Sequence, residues 1–172
     1  MKGFTLIELL TTLVLLAVIL ILVTPNFGEA LERRTLQRAG ENVLSAIKLA
    51  RSEALKQEKT VAIIFTKVGS GWCYGIDDDT TSACNCNTAP ANCTLNGASK
   101  VFNNGLAGTE SPFKDITLGS SQFIYFTSAY GKATVGRTVS LSSSSGLRAN
   151  VIVEQVGRVR IQSDLPGYTA IP

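Results

Sequence analysis

The chain of 172 residues contains no histidine. That absence excludes a Ser-His-Asp or Cys-His catalytic set and any histidine-ligated metal within it. Charge is sparse as well, at 17% of residues, and sixteen basic against thirteen acidic side chains leave only +3. A balance that mild does not mark a nucleic-acid binder by net charge alone. There is no phosphate-binding P-loop, no nucleophile beside a base and no carboxylate pair with a stated task, so neither an enzyme nor a cofactor is expected. The length suits one globular domain plus something extra. Mean hydropathy is +0.21, high for a soluble protein, and the excess lies at one end.

That end reads FTLIELLTTLVLLAVILILV from Phe4 to Val23, with Glu8 as its one charge. As a helix these twenty residues would span about 30 Å, the thickness of a bilayer's hydrocarbon core. A secretory signal would carry a charged n-region and a small-residue cleavage site after the run. Here only Met1-Lys2-Gly3 precedes it and Thr24-Pro25-Asn26-Phe27 follows, with no A-x-A-like site. A plain anchor leaves Glu8 unexplained, because an acid at the helix centre costs roughly 2.5–3.5 kcal/mol on translocon scales. Lys2 on the short side predicts N-in, C-out insertion, with the body outside the cytoplasm. Clustered cysteines fit that oxidising side.

The segment Gly3-Phe4-Thr5-Leu6-Ile7-Glu8-Leu9-Leu10 resembles the prepilin signature of type IV pilins and type II secretion pseudopilins. The resemblance implies that a prepilin peptidase cuts after Gly3 and N-methylates Phe4. It also implies that Glu8 recruits the subunit among other pilins or pseudopilins, first in the inner membrane and then in a periplasmic or cell-surface filament. The physics agrees: a new ammonium at Phe4 needs a counter-charge, and Glu8 of the same or a neighbouring subunit supplies one inside an apolar bundle.

Pro25 and Gly28 interrupt the helix just past the apolar run, which kinks it without ending it. Beyond them Leu31, Leu36, Ala39, Val43, Ile47, Ala50 and Ala54 recur mostly at three and four, the apolar face of an amphipathic helix reaching about Gln57. Glu32, Arg34, Arg38, Glu41, Lys48, Arg51, Glu53 and Lys56 form the solvated face. After Lys59, short runs rich in Val, Ile, Phe and Tyr alternate with Gly, Ser, Asn and Asp clusters. They predict strands over 60–66, 71–76, 122–127, 132–141, 149–155 and 157–162. Segment 79–110 has no clear period and reads as a stapled surface loop, and Ser142-Ser143-Ser144-Ser145-Gly146 as a flexible hairpin loop. The expected architecture is α+β, a long N-terminal helix packed on an antiparallel β-sheet or sandwich head. The expected division is leader 1–3, transmembrane or filament-core helix 4–27, amphipathic helix 28–58 and β-rich head 59–172.

The stretch Leu49-Ala50-Arg51-Ser52-Glu53-Ala54, followed by Thr60-Val61-Ala62-Ile63-Ile64-Phe65 and then Gly71-Trp72, is similar to the GspH/FimT subfamily of pseudopilins and minor pilins. The similarity is close over the N-terminal third and continues as isolated motifs.

Cys73, Cys84, Cys86 and Cys93 allow three pairings. Bridging Cys84 to Cys86 would close a strained ring. If Asp77-Asp78-Asp79-Thr80 turns a hairpin, Cys73 falls opposite Cys84, so Cys73–Cys84 with Cys86–Cys93 is favoured slightly over the crossed pairing. A zinc site lacks C-x-x-C pairs and suits the wrong compartment, so no metal is expected. Asp77, Asp78 and Asp79 lack the alternate spacing of a calcium loop and read as an exposed acidic turn.

From Lys100 onward, Lys100, Lys114, Lys132, Arg137, Arg148, Arg158 and Arg160 stand against Glu110, Asp115, Glu154 and Asp164. Seven basic to four acidic gives +3. Within this part Gly157-Arg158-Val159-Arg160 looks like the GRxR motif of FimT-like minor pilins, where it is associated with binding extracellular DNA in natural transformation. In a strand Arg158 and Arg160 share one face about 7 Å apart, close to the phosphate spacing along one DNA strand. Gly157 would permit a turn or a close backbone approach. Lys132, Arg137 and Arg148 widen the patch if their loops converge. The resemblance therefore implies a minor pilin that holds double-stranded DNA weakly and without sequence preference. The alternative is a GspH-like pseudopilin of a type II secretion system, in which these arginines serve packing and subunit contacts.

Overall fold

In the computed structural model the described residues are 3, 5–78, 84–88, 90–106 and 108–171, without the side chains of 21–27. The chain divides into two compact units, Met1–Arg34 and Thr35–Pro172. One helix, α1 (Leu6–Gln57), runs through the first and into the second. Thr5 caps its start, its hydroxyl and carbonyl oxygens accepting the Glu8 N–H at 3.4 and 3.1 Å. Lys56 lies in its last turn, where a cation suits the exposed carbonyls.

In the first unit every large apolar side chain from Leu6 to Leu20 is exposed. The Arg33 guanidinium pairs with Glu29 one turn earlier at 2.6 Å. Among the described residues no helix is long and apolar enough to cross a membrane. Part of the expected 4–27 span, namely Phe4 and the side chains of 21–27, lies outside the described residues, as do Met1 and Lys2 of the expected leader.

The second unit joins the rest of α1 to two four-stranded antiparallel sheets. The first has β1 (Val61–Val68), β2 (Gly71–Asp77), β5 (Val101–Asn104) and β7 (Gln122–Phe126) in the order β5-β2-β1-β7. The second has β6 (Ile116–Leu118), β8 (Arg137–Ser143), β9 (Arg148–Val153) and β10 (Val159–Ser163) in the order β10-β9-β8-β6. A small hairpin, β3 (Thr94–Leu95) with β4 (Ala98–Ser99), completes the set.

The helix face expected to be apolar is the buried one: Leu36, Ala39, Val43, Ile47, Ala50 and Ala54 are fully inaccessible, while Leu31 is exposed. Alanine dominates that stripe, and small side chains let the helix approach the strands closely. Asn42 accepts the Tyr74 hydroxyl at 2.8 Å, and a Cβ on Gly40 would meet Ala149 and Ile161 at ordinary contact distance. The two sheets are tied by the Trp72 indole N–H, which donates to the Ile116 carbonyl at 3.0 Å beneath Phe102 and Phe113. A buried indole needs that partner.

Several strand expectations need correction. Segment 79–110 is not a structureless loop, since it contains β3, β4 and β5. The strand expected over 132–141 begins only at Arg137, because Ala133 and Thr134 are already engaged with Gln155 and Tyr125. The acidic turn is not exposed at Asp77, which closes β2 and is 1% accessible. Asp79 lies outside the described residues.

The favoured disulfide pairing is also overturned: the bridges are Cys73–Cys86 and Cys84–Cys93, with Cα separations of 5.9 and 4.7 Å. The expected pairing needed a return strand beside Cys73. Both edges of β2 are taken, Cys73 lying opposite Thr66 of β1 and Asn103 of β5. The cysteine-rich segment therefore packs over the sheet, and the Cys84–Cys93 bridge rests on Gly75, where any Cβ would collide with both sulfurs.

Candidate functional site

Two regions carry the residues singled out by the sequence. The first is the start of α1. Glu8 is exposed in the first turn, where a carboxylate faces the positive end of the helix dipole. It stands beside a continuous apolar surface, and an exposed apolar area of that size marks a contact with lipid or protein. Gly3 lies before the helix, while Phe4 is outside the described residues.

The second region is the β9–β10 connection. Here the Gly157 N–H donates to the Glu154 carbonyl at 2.8 Å, and the Glu154 N–H donates to the Arg158 carbonyl at 2.9 Å. Gly157 has φ +85°, and a Cβ there would strike the Gly131 carbonyl and the Arg51 guanidinium. Both the turn and the close approach anticipated for this glycine are present. Arg51 of α1 lies under the junction, its Nε donating to the Gly131 carbonyl at 3.1 Å.

Arg158 and Arg160 are exposed, whereas Val159 and Ile161 between and beyond them pack against the core. Arg158, one residue before β10, and Arg160 within it are thus both presented to solvent. Their electrostatics differ. Arg160 Nε lies 3.2 Å from a Glu154 carboxylate oxygen, and Arg158 makes no ion pair among the described residues. Lys132 stands in the abutting turn, Thr127–Lys132, with its ammonium 5.6 Å from the Tyr130 ring centre.

Arg137 and Arg148 do not extend this group. Arg137 shares the parity of the buried Val139 and Leu141, so it turns to the core side. Its Nε is buried, and its guanidinium lies over the Phe123 ring at 5.5 Å. Arg148 sits at the far end of β9, about 13 Å along the strand from the position opposite Arg160, and pairs with Asp164 at 3.6 Å.

Sequence reasoning missed three participants. Arg51 reads as solvated, yet it donates to the Gly131 carbonyl of one turn and lies close against Gly157 of the other. Glu154 was counted only as a charge, although it lies two residues beyond Ile152, the partner of Arg160. Tyr130 was passed over; the signal was an aromatic beside a glycine in a turn, Ala129-Tyr130-Gly131-Lys132. Elsewhere, hydrogen bonds from Gln37 and Tyr168 hold the Glu41 carboxyl below its usual range, while burial, with Glu41 second, pushes the Tyr168 hydroxyl up. Among the described residues no group of three or more acidic or cysteine side chains gathers as a metal site.

The family described as type II transport protein GspH matches residues 39–157, well over half of the chain. No curated protein matches it. Two crystal structures of the type IV minor pilin FimU from Pseudomonas aeruginosa (strain PAO1) are similar to it. One has 17% identity and a TM-score of 0.49 over 78% of this chain and 99% of that one. The other has 21% identity and a TM-score of 0.48 over 80% and 97%. On the family match, the chain belongs to the GspH family, described as type II transport proteins.

Proposed function

We propose that this chain enters a pilus-type filament through its N-terminal helix and has no catalytic role. The supporting observation is the run of exposed apolar side chains from Leu6 to Leu20. In water such a surface is unfavourable by about 25 cal/mol per Å², so it needs lipid before assembly and neighbouring helices afterwards. In this reading residues 4–27 hold the precursor in the inner membrane with the head outside the cytoplasm. A prepilin peptidase removes residues 1–3 and methylates Phe4, and Glu8 offsets the new ammonium. Mass spectrometry of chains recovered from filaments tests this: the mature species begins at N-methylated Phe4. Gly3→Ala blocks cleavage, whereas Glu8→Ala is cleaved but missing from filaments. An intact Met1 in filaments overturns the reading.

A finer reading makes the chain a minor pilin whose head binds double-stranded DNA during natural transformation. It is supported by the exposed Arg158 and Arg160 with Lys132 in the next turn. The alternative is a pseudopilin of a type II secretion system with structural contacts only. That alternative is favoured by Gly157, whose φ and packing explain the glycine without DNA, and by the hold of Glu154 on Arg160. Mobility-shift titration of the detergent-solubilised full chain separates them. DNA binding predicts an affinity that falls with salt and a log–log slope lowered by about 2 in Arg158→Ala/Arg160→Ala. The pseudopilin reading predicts no shift even at low salt.

A further inference from the structure

We propose that Tyr130 is a stacking platform for an unpaired nucleobase, with Lys132 and Arg158 holding the flanking phosphates. The inference rests on the DNA-binding reading and names the part of the nucleic acid contacted.

The Tyr130 side chain is 81% exposed, the most exposed large apolar group among the described residues of the head. Its backbone sits at φ +63°, a conformation costly for a bulky residue and retained where the surroundings enforce it. The surroundings do enforce it. The Thr127 N–H donates to the Lys132 carbonyl, the Ala133 N–H donates to the Gln155 carbonyl, and Arg51 holds the Gly131 carbonyl from below. The ring is therefore presented on a turn fixed from three sides, which lowers the entropy cost of using it.

The second turn, Glu154–Arg158, meets the first where Gly157 contacts Gly131. It adds Val156, 64% exposed, and Arg158. The one acid in either turn, Glu154, is engaged by Arg160. The Lys132 ammonium lies over one face of the ring and leaves the other for a base, and Arg158 stands in the abutting turn; rings that stack on bases beside cations that follow the backbone are the combination that binds single strands. Within a duplex the base faces are hidden by their neighbours and offer the ring nothing, so unpaired segments are preferred. A protein partner would also value an exposed tyrosine, but Lys132, Arg158 and Arg160 outnumber Glu154, and a net positive surface matches a polyanion.

The test compares a 12-nucleotide oligothymidine with a blunt 12-base-pair duplex, using the full chain in detergent at low salt. Tyr130→Ala is expected to weaken oligothymidine binding at least about fivefold and to leave the duplex within twofold, with Tyr130→Phe retaining wild-type affinity. Arg158→Ala should weaken both. Equal effects of Tyr130→Ala on the two ligands, or no effect, overturn the proposal while the DNA reading stands. So does loss of filament incorporation in Tyr130→Ala with oligothymidine affinity unchanged, which would make the ring a subunit contact. A wild-type chain that binds neither ligand overturns the DNA reading and this inference with it.

Discussion

The carbonyl oxygen of Gly131 stands where a Cβ on Gly157 would have to be. Two turns from different sheets touch backbone to backbone at that point, above the Arg51 guanidinium. Gly157→Ala should therefore destabilise the head by about 1–3 kcal/mol, from the left-handed conformation and from displacing the neighbouring turn. Thermal unfolding followed by circular dichroism should show a Tm lowered by about 3–10 °C. Arg158→Ala, which removes only an exposed side chain, should stay within about 1 °C.

The bridges Cys73–Cys86 and Cys84–Cys93 make a prediction by thiol count. Cys73→Ser/Cys86→Ser should keep its remaining bridge and titrate no thiol under denaturing conditions. Cys73→Ser/Cys84→Ser removes one cysteine from each bridge and should expose two thiols, at Cys86 and Cys93. Removing the bridge on Gly75 with Cys84→Ser/Cys93→Ser should cost about 2–3 kcal/mol on the chain-entropy account.

The amphipathic half of α1 was legible because seven apolar positions at helical spacing leave one face to bury, and six of those seven are buried. Strands β1 and β9 were legible from their β-branched residues, and β2 from Trp72, Tyr74 and Ile76. Strands β5 and β6, of four and three residues, were not, because pieces that short have no period and exist through pairing with β2 and β8. The crossed disulfides were hidden for a related reason: which edges of β2 are occupied is a long-range fact. At the candidate site the pair Arg158 and Arg160 followed from strand alternation alone. The inward turn of Arg137 was readable too, from its parity with Val139 and Leu141, once the strand was begun at the right residue. The meeting of Gly131 with Gly157 joins turns 26 residues apart and left no local trace.

Tyr74 couples stability to alkaline pH. Burial pushes its hydroxyl from an ordinary value of 10.0 to about 12, with the hydrogen bond to Asn42 pulling the other way. The folded value lies above the unfolded one, so the stabilisation is complete below pH 10 and is lost as pH rises from about 10 towards 12. Urea unfolding at pH 9 and pH 12 should show wild type losing about 2 kcal/mol more than Tyr74→Phe over that interval. At pH 7 the same variant should be less stable by about 1 kcal/mol, for the lost hydrogen bond.

Glu154 restrains the arginine that matters for the DNA reading. Its carboxylate lies 3.2 Å from Arg160 Nε and both side chains are partly exposed, so the pair adds less than about 1 kcal/mol to stability. Glu154→Gln should leave the Tm almost unchanged while releasing the charge of Arg160 to solvent. If the head binds DNA, affinity at low salt should rise about two- to threefold, because a carboxylate beside the phosphates is removed. Arg160→Ala introduced into Glu154→Gln should cancel the gain. In a purely structural pseudopilin neither substitution would produce a DNA complex, and the arginine's release would register only in contacts with neighbouring subunits.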